Sequence, residues 1–586
     1  YEYGREYGKN IRSTGINMVF APCMDVNIEP LNPVIGLRSF GSDPAEVGRM
    51  GVAVMQGFLA SGVFPTLKHF PGHGRTKLDS HVALPSISAS VDSLEKTELL
   101  PFQKAIDAGV PLIMAGHLVV PALDKKPGWP STFSKTILSD RLRKQMGFRG
   151  ILVTDSLSMA GAKKVAAGLS SSPGEVFLQS LLAGNDLLMD STSLHPGVGD
   201  WNVIFTYLAT KANGDAAILK RLRQAAARVI ALRLSMHEAR QRARADPPTK
   251  TVEGEKLVRE LYARSTTVVR DENALLPLGK EHANSKDTLL IIPNSLNVKE
   301  TEAAFLGARV VHFSPNVPCT DRSRVEQAIQ DWLADRPDDE SVDAGRIVLA
   351  VHDFNVSPMV LMHTVYKEQL ELAWKIYGIL SEKPRFLKKV VFASVENPYD
   401  LIAMPAFPTI AVAFGSGGEA MKMFWERLVH SNKNELLPRA LPVDLPLLDA
   451  KMPDYASKHP PSRDAECAHA HSPAAPSSGL PKKVEARFGS AGESCETVCV
   501  AAKKVCAPQY FNAINTCDVL RTKFSCNECL ENLGMDQPAQ VKQSASRWPG
   551  RCLFTSELKT EVGFHGVERC MAKHPDTIRL CPCVPS

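Results

Sequence analysis

The stretch KHFPGHGRTKLDSH, residues 68–81, holds three histidines, two lysines, an aspartate and two glycines in fourteen positions. A packed core has little use for so many titratable side chains side by side. Their spacing raises a chemical question: what work needs a histidine, His81, two residues after an acid, Asp79, on a loop that contains Gly72 and Gly74? Zinc binding is one answer, since imidazoles are frequent ligands and His69, His73 and His81 are all at hand, although their spacing matches no helical ligand motif. Lys68 and His69 stand at the end of an apolar run, where they either face a ligand or are satisfied structurally. Asp155 closes another such run in GILVTDSLSM. A carboxylate there is either a reacting group or the N-cap of the next helix. Arg38, in GLRSFGSDP, could clamp a hydroxyl, pair with a carboxylate or make a surface salt bridge.

The elements that must position these residues alternate short β-rich runs with helical stretches over residues 1–250. The runs are NMVFAPCMDV, GVFPTLKHF, VPLIMAGHLV, GILVTDSLSM and AGNDLLM. Each is nearly continuous in its apolar part, as a parallel strand buried on both faces is. Each also ends in polar residues: Asp25, Lys68 with His69, His117, Asp155 and Asp186. Polar groups at the C-terminal ends of consecutive parallel strands are the layout of a (β/α)8-barrel site. A doubly wound sheet shares that layout and stays open as the alternative. Residues 217–245 read as a long closing helix. Residues 251–450 repeat the alternation, with strands at 288–293, 309–313, 346–352, 390–395 and 409–414 and helices near 322–334, 366–381 and 417–430. They form a three-layer α/β domain. Residues 451–492 lose periodicity and enrich in Pro, Ala, Ser and His, as a linker does.

Composition bounds the partners. At 586 residues the chain is too long for one core. Its net charge of +5 is too small at this length to point to nucleic acid or a membrane surface. No apolar run is long enough to span a bilayer. The chain starts at Tyr1 without a signal segment, which reads as a fragment or a processed product. Ten of its 13 cysteines fall between Cys495 and Cys583. That density in residues 493–586 predicts five disulfides, a disulfide-rich module and an oxidising, secretory setting. A zinc knuckle at CNEC, residues 526–529, is the rival reading.

Several segments together resemble glycoside hydrolase family 3, in its β-N-acetylglucosaminidase branch. They are NPVIGLRSFGSDP (32–44), KHFPGHG with DSH (68–81), MAGH (114–117), GFRGILVTDSLSM (147–159), AGNDLL (183–188), SVENPYDL (394–401) and LPV (441–443). The resemblance implies a retaining exo-glycosidase acting on terminal N-acetylglucosamine in a glycan or chitin oligosaccharide, without metal or organic cofactor. By carry-over, Asp155 is the nucleophile and His81 the acid/base, oriented by Asp79. Arg38, Lys68 and His69 hold the hydroxyls of the sugar. An imidazole suits the acid/base role because its ordinary pKa lies near 6.5. The family barrel also begins with strands that this chain lacks, one of them bearing an Asp-Gln-Glu-Gly-Gly-type motif. The expected fold is therefore an α/β chain whose (β/α)8-type barrel lacks its N-terminal strands. The cysteine-rich segment resembles that beside mannosyl-glycoprotein N-acetylglucosaminyltransferases. Two rival functions remain: a non-catalytic glycan-binding relative, and a phosphorylase, since a neutral histidine does not repel phosphate.

Overall fold

The structure is a computed structural model. It describes residues 1–30, 32–78, 80, 84–159, 161–162, 165, 174–190, 201–243, 252–296, 298–314, 317, 319–336, 345–352, 367–396, 398, 401, 404–431, 485–506, 517–526, 529–531, 539–542, 550–554 and 577–585. The chain divides into two compact units, Tyr1–Ser462 and Arg463–Ser586.

The first unit opens with four parallel strands, β1 (Met18–Val19), β2 (Phe64–Phe70), β3 (Leu112–Ala115) and β4 (Ile151–Thr154), adjacent in that order. Leu187 of AGNDLLM bridges Val153 in parallel and continues the sheet. Every residue of β3 and β4 is buried. Successive side chains of a strand point to opposite faces, and both faces here are covered. Ile113, Ala115 and Leu152 pack with Phe102 and Ala105 of the helix Leu99–Asp107. Leu112, Ile151 and Val153 pack with Val229 and Leu232 of the helix Ala216–Ala243. A buried carboxylate pins that helix: Asp186 takes Arg221 at 3.0 Å, Arg228 at 2.9 Å and Arg143 at 2.5 Å. Asp186, a strand-end acid in the sequence, is thus a structural anchor.

A second sheet follows, made of β5 (Thr267–Asp271), β6 (Thr288–Pro293), β7 (Arg309–Phe313), β8 (Arg346–His352), β9 (Val390–Val395) and β10 (Thr409–Ala413). Its order is β5-β10-β9-β8-β6-β7. All neighbours are parallel except β5, which runs antiparallel to β10 at the edge. The edge strand escapes sequence reading because only Thr267 and Val268 in it are buried. The central strands explain the layers. Leu289, Ile291, Ile347 and Leu349 pack beneath Trp332 and Ile376, from the helices Cys319–Ala334 and Lys367–Ser381. Leu290, Ile292, Val348 and Ala350 face Phe424 and Trp425 of the helix Gly418–His430.

The second unit is a cysteine-stapled sheet. Its strands β11 (Glu485–Phe488), β12 (Lys504–Cys506), β13 (Cys529–Glu531), β14 (Ala539–Val541), β15 (Cys552–Phe554) and β16 (Thr577–Pro585) run in the order β11-β16-β14-β15-β13, with β12 also on β16. β11 lies inside the stretch that the sequence reads as linker, because pairing with β16 orders a segment that has no apolar periodicity of its own. Cys495 and Cys499 sit one helical turn apart on the helix Cys495–Ala501. They bond to Cys581 and Cys583, two residues apart on one face of β16. A helix period of four meets a strand period of two, so both bridges form side by side. Cys526 bonds to Cys552, which removes one ligand from the zinc reading of CNEC. These disulfides suit an oxidising compartment. No helix among the described residues is long and apolar enough to cross a membrane.

Candidate active site

Asp25, just past β1, organises the polar ends of the first sheet. Its carboxylate is fully buried. It accepts the His69 amide at 3.1 and 3.0 Å, the His69 ring Nδ1–H at 2.8 Å, the His73 amide at 2.6 Å and the Cys23 thiol at 2.9 Å. Burial alone would raise its pKa, but His69 and the Cys23 thiol hold it well below the usual carboxylate range. The other ring nitrogen of His69, Nε2, lies 3.3 Å from a guanidinium nitrogen of Arg38. A carboxylate only accepts and a guanidinium only donates. In its neutral form the His69 ring therefore carries its proton on Nδ1 and turns its Nε2 lone pair toward Arg38. Arg38 also donates to the Val34 carbonyl at 3.1 Å.

β2 brings Lys68 beside this chain. Its pairing with β3 slips between Leu67 and Phe70, an irregularity that re-aims side chains at a strand end. Burial first, and then the Arg38 guanidinium, pull the Lys68 ammonium below its usual pKa, while Asp155 and Asp25 act to raise it. Asp155 thus lies within electrostatic reach of Lys68. It follows β4, its amide bonds to the Ala115 carbonyl at 2.9 Å, and its Oδ1 accepts the Ser156 amide at 2.8 Å. Residues 156–159 are not helical, so Asp155 does not stand at the next helix N-terminus. His117, at the end of β3 and fully buried, braces this turn by donating from Nε2 to the Ser156 carbonyl at 2.8 Å.

Asp79 and His81 lie outside the described residues; Ser80 between them does not. Its hydroxyl is 3.0 Å from His73 Nε2, and its carbonyl accepts the Gly161 amide at 3.2 Å. The middle of the DSH motif is therefore tied both to His73 and to the segment that follows Asp155. His73 is fully buried, and its Nδ1 meets the Thr76 hydroxyl at 2.7 Å. Burial first, and then His69, push its pKa down to about 4. The two glycines of the loop are fixed by packing: a Cβ on Gly74 would lie 1.8 Å from the Val26 carbonyl oxygen, and Gly72 has φ +134° against Glu98. They seat the base of the loop on its neighbours.

With both His73 nitrogens committed to hydroxyls, a zinc site on His69, His73 and His81 loses its middle ligand. Cys23 Sγ, an Asp25 oxygen and His69 Nδ1 do lie within 4.8 Å of one another, the spacing of a metal cluster. Burial and the Asp25 carboxylate push the Cys23 thiol far up. It stays protonated and serves as a donor to Asp25, which accounts for the trio as a hydrogen-bond cluster. Arg38, Lys68, His69 and Asp155, singled out in the sequence, lie at the polar ends of one sheet. Sequence reading gives Asp25 and His117 no role beyond closing an apolar run, and His73 none but that of a zinc ligand.

Residues 1–232 match the glycosyl hydrolase family 3 N-terminal domain. A β-hexosaminidase A of Pseudoalteromonas piscicida is 40% identical over 192 residues, 31% of this chain and 31% of that protein. A β-N-acetylglucosaminidase/β-glucosidase of Cellulomonas fimi is 29% identical over 291 residues, 47% of this chain and 49% of that one. The chain thus spans between 31% and 49% of the length of these curated relatives. The solved glycoside hydrolase family 3 β-N-acetylglucosaminidase of Paenibacillus sp. str. FPU-7 is 25% identical and superposes with a TM-score of 0.58 over 76% of this chain and 80% of that one. Asp25, Lys68, His69 and Asp155 all fall within the segment that matches the glycosyl hydrolase family 3 N-terminal domain.

Proposed function

We propose that the protein is a retaining exo-β-N-acetylglucosaminidase that removes terminal N-acetylglucosamine from a glycan or chitin oligosaccharide in an oxidising, extracellular setting. One observation carries the reading: a half-buried carboxylate, Asp155, follows β4 in the same parallel sheet whose β2 ends in Lys68 and His69, where the Asp25–His69–Arg38 chain lies. An Asp155 oxygen attacks the anomeric carbon while the glycosidic C–O bond breaks, and the His81 imidazolium gives its proton to the departing oxygen. Water then attacks the same carbon, releases Asp155 and returns a proton to His81. Asp79 orients the His81 ring as the acid of a triad orients its histidine. Lys68, Arg38 and His69 hold hydroxyls of the sugar. Asp25 fixes His69 from behind, so that ring meets the sugar in one tautomer.

The bracing of Ser80 supports the role of His81. A loop anchored by His73 and Gly161 holds the acid/base on a short tether, which lowers the entropy cost of bringing it to the bond. The test is covalent trapping with a 5-fluoro-N-acetylglucosaminyl fluoride, followed by peptide mass spectrometry. The label should sit on Asp155. A label on another residue, or an active preparation that takes none, overturns the assignment.

A further inference from the structure

The parallel strands of the second sheet also end in chemistry. Ser295 follows β6, His352 ends β8, Glu396 follows β9, and Ser416 follows β10. Their side chains join into one chain of hydrogen bonds. His352 Nδ1 lies 3.0 Å from the Ser295 hydroxyl, and Nε2 lies 3.1 Å from Glu396 Oε2. The Ser416 hydroxyl donates to the same Oε2 at 2.8 Å. An ionised carboxylate only accepts, so a ring proton sits on Nε2, and Nδ1 meets the Ser295 hydroxyl, which can donate or accept.

Position adds to chemistry. From β6 the chain moves to β7 on one side and then to β8 on the other. The pair β6–β8 is therefore the point at which strand order reverses, and open α/β sheets bind ligands in the crevice at the carboxyl ends there. Ser295 and His352 lie on those two strands. Glu396 has φ +78°, a left-handed conformation that a residue with a Cβ adopts only at a cost and that clusters at ligand sites. Next to Ser416, the helix Gly418–His430 starts at Gly417 with no side-chain cap. Its first-turn N–H groups face that end of the sheet as donors.

Donors and acceptors interleave. Glu396 offers an anionic acceptor, the serines can do either, and the helix start donates. No lysine or arginine pairs with Glu396 among the described residues, so an anion would meet a carboxylate whose one titratable partner is the His352 ring. Neighbouring hydroxyl groups, each donating once and accepting once, fit that alternation.

We propose that this strand-end crevice of β6, β8, β9 and β10 is a second ligand site, built for a neutral polyhydroxylated molecule such as a sugar ring. It is separate from the residues assigned to glycoside cleavage, and nothing in its argument depends on that assignment.

The probe is a non-hydrolysable thioglycoside of N-acetylglucosamine whose aglycone bears a diazirine, photolysed with the full-length protein and mapped by peptide mass spectrometry. Peptides holding Ser295, His352, Glu396 or Ser416 should be labelled, and millimolar free sugar should compete the label away. Glu396→Gln should lower that labelling at least tenfold and the milder Ser416→Ala several-fold, with both melting as cooperatively as the parent. Peptides of the first sheet report separately on the glycosidase reading. The proposal is overturned by three results: no label on these peptides, label that sugar does not compete, or label that Ser416→Ala leaves unchanged. Competition by inorganic phosphate in place of sugar overturns the neutral-ligand assignment.

Discussion

Two sets of parallel strands in the first unit each end in a polar cluster, and the two clusters differ in charge. The first joins Asp25, His69, Arg38, Lys68 and Asp155, two carboxylates and two cations around one imidazole. The second joins Ser295, His352, Glu396 and Ser416 around one carboxylate. The same topological position thus supplies two kinds of chemistry. Opposed charges held in low dielectric can stabilise charge that develops in a reaction. A single carboxylate among hydroxyls and one imidazole can recognise hydroxyls but lacks the arginine and lysine that accompany the carboxylates of the first cluster.

The sharpest break between the two clusters is a loss of turnover. Asp155→Ala should lower kcat on a nitrophenyl N-acetylglucosaminide by roughly 10⁴–10⁶-fold, the range over which loss of a member of a covalent catalytic unit is felt. A loss below tenfold would place the reaction elsewhere. His81→Ala should cost about 10²–10⁴-fold, as removal of a placed proton donor does. Its signature is selectivity: unactivated sugar leaving groups should suffer far more than nitrophenolate, which needs no proton. Equal losses on both would make His81 structural.

Much of this contrast was legible in the sequence, and the reasons differ by residue. Buried parallel strands are near-continuous apolar runs, so β2, β4, β6, β8, β9 and β10 could be read directly, and the polar residue closing each run was a visible signal. The sequence gives types and ends, not partners. Asp25 looked like any strand-end acid until the fold brought it against the amides of His69 and His73. Asp186 carried the same signal, yet three arginines from distant segments turned it into an anchor. Glu396 hid inside SVENPYDL because nothing local marks a left-handed glutamate. β5 and β11 were missed because edge pairing, which no periodicity records, orders them.

The buried and half-buried carboxylates should also differ in stability. Asp25→Asn turns an acceptor of several N–H groups into an amide whose NH₂ must face one of them. Leaving buried partners uncompensated costs roughly 3–5 kcal/mol. Glu396 keeps 23% of its side-chain surface exposed, and water can take over part of its role. Glu396→Gln should therefore cost only about 1–2 kcal/mol, a charged hydrogen bond reduced by screening. Urea denaturation read by fluorescence measures both. A Glu396→Gln loss as large as that of Asp25→Asn would mean that burial is not what separates the clusters.

The last difference is in pH response and belongs to His73. Burial first, and then its neighbour His69, set its folded pKa at about 4, against about 6.5 in an unfolded chain. The unfolded state therefore binds more protons between these values, and stability falls as the pH falls through them. The contribution is complete above about pH 6.5 and fades toward pH 4, where its loss reaches roughly 3 kcal/mol at about 1.4 kcal/mol per pKa unit. Asp25 adds nothing in this window: its pKa is lowered in the fold, so its own contribution is lost only in stronger acid, below the unfolded value near 3.9. Denaturation midpoints of the parent and of His73→Gln, compared from pH 7.5 to 4.5, isolate the effect. Gln keeps a donor and an acceptor near Ser80 and Thr76 but does not titrate, so the variant should start weaker at pH 7.5 and lose less on acidification. Parallel curves for the two proteins would show that the ring of His73 stays neutral in neither state's favour, and the anchor assigned to the DSH loop would lose its electrostatic basis.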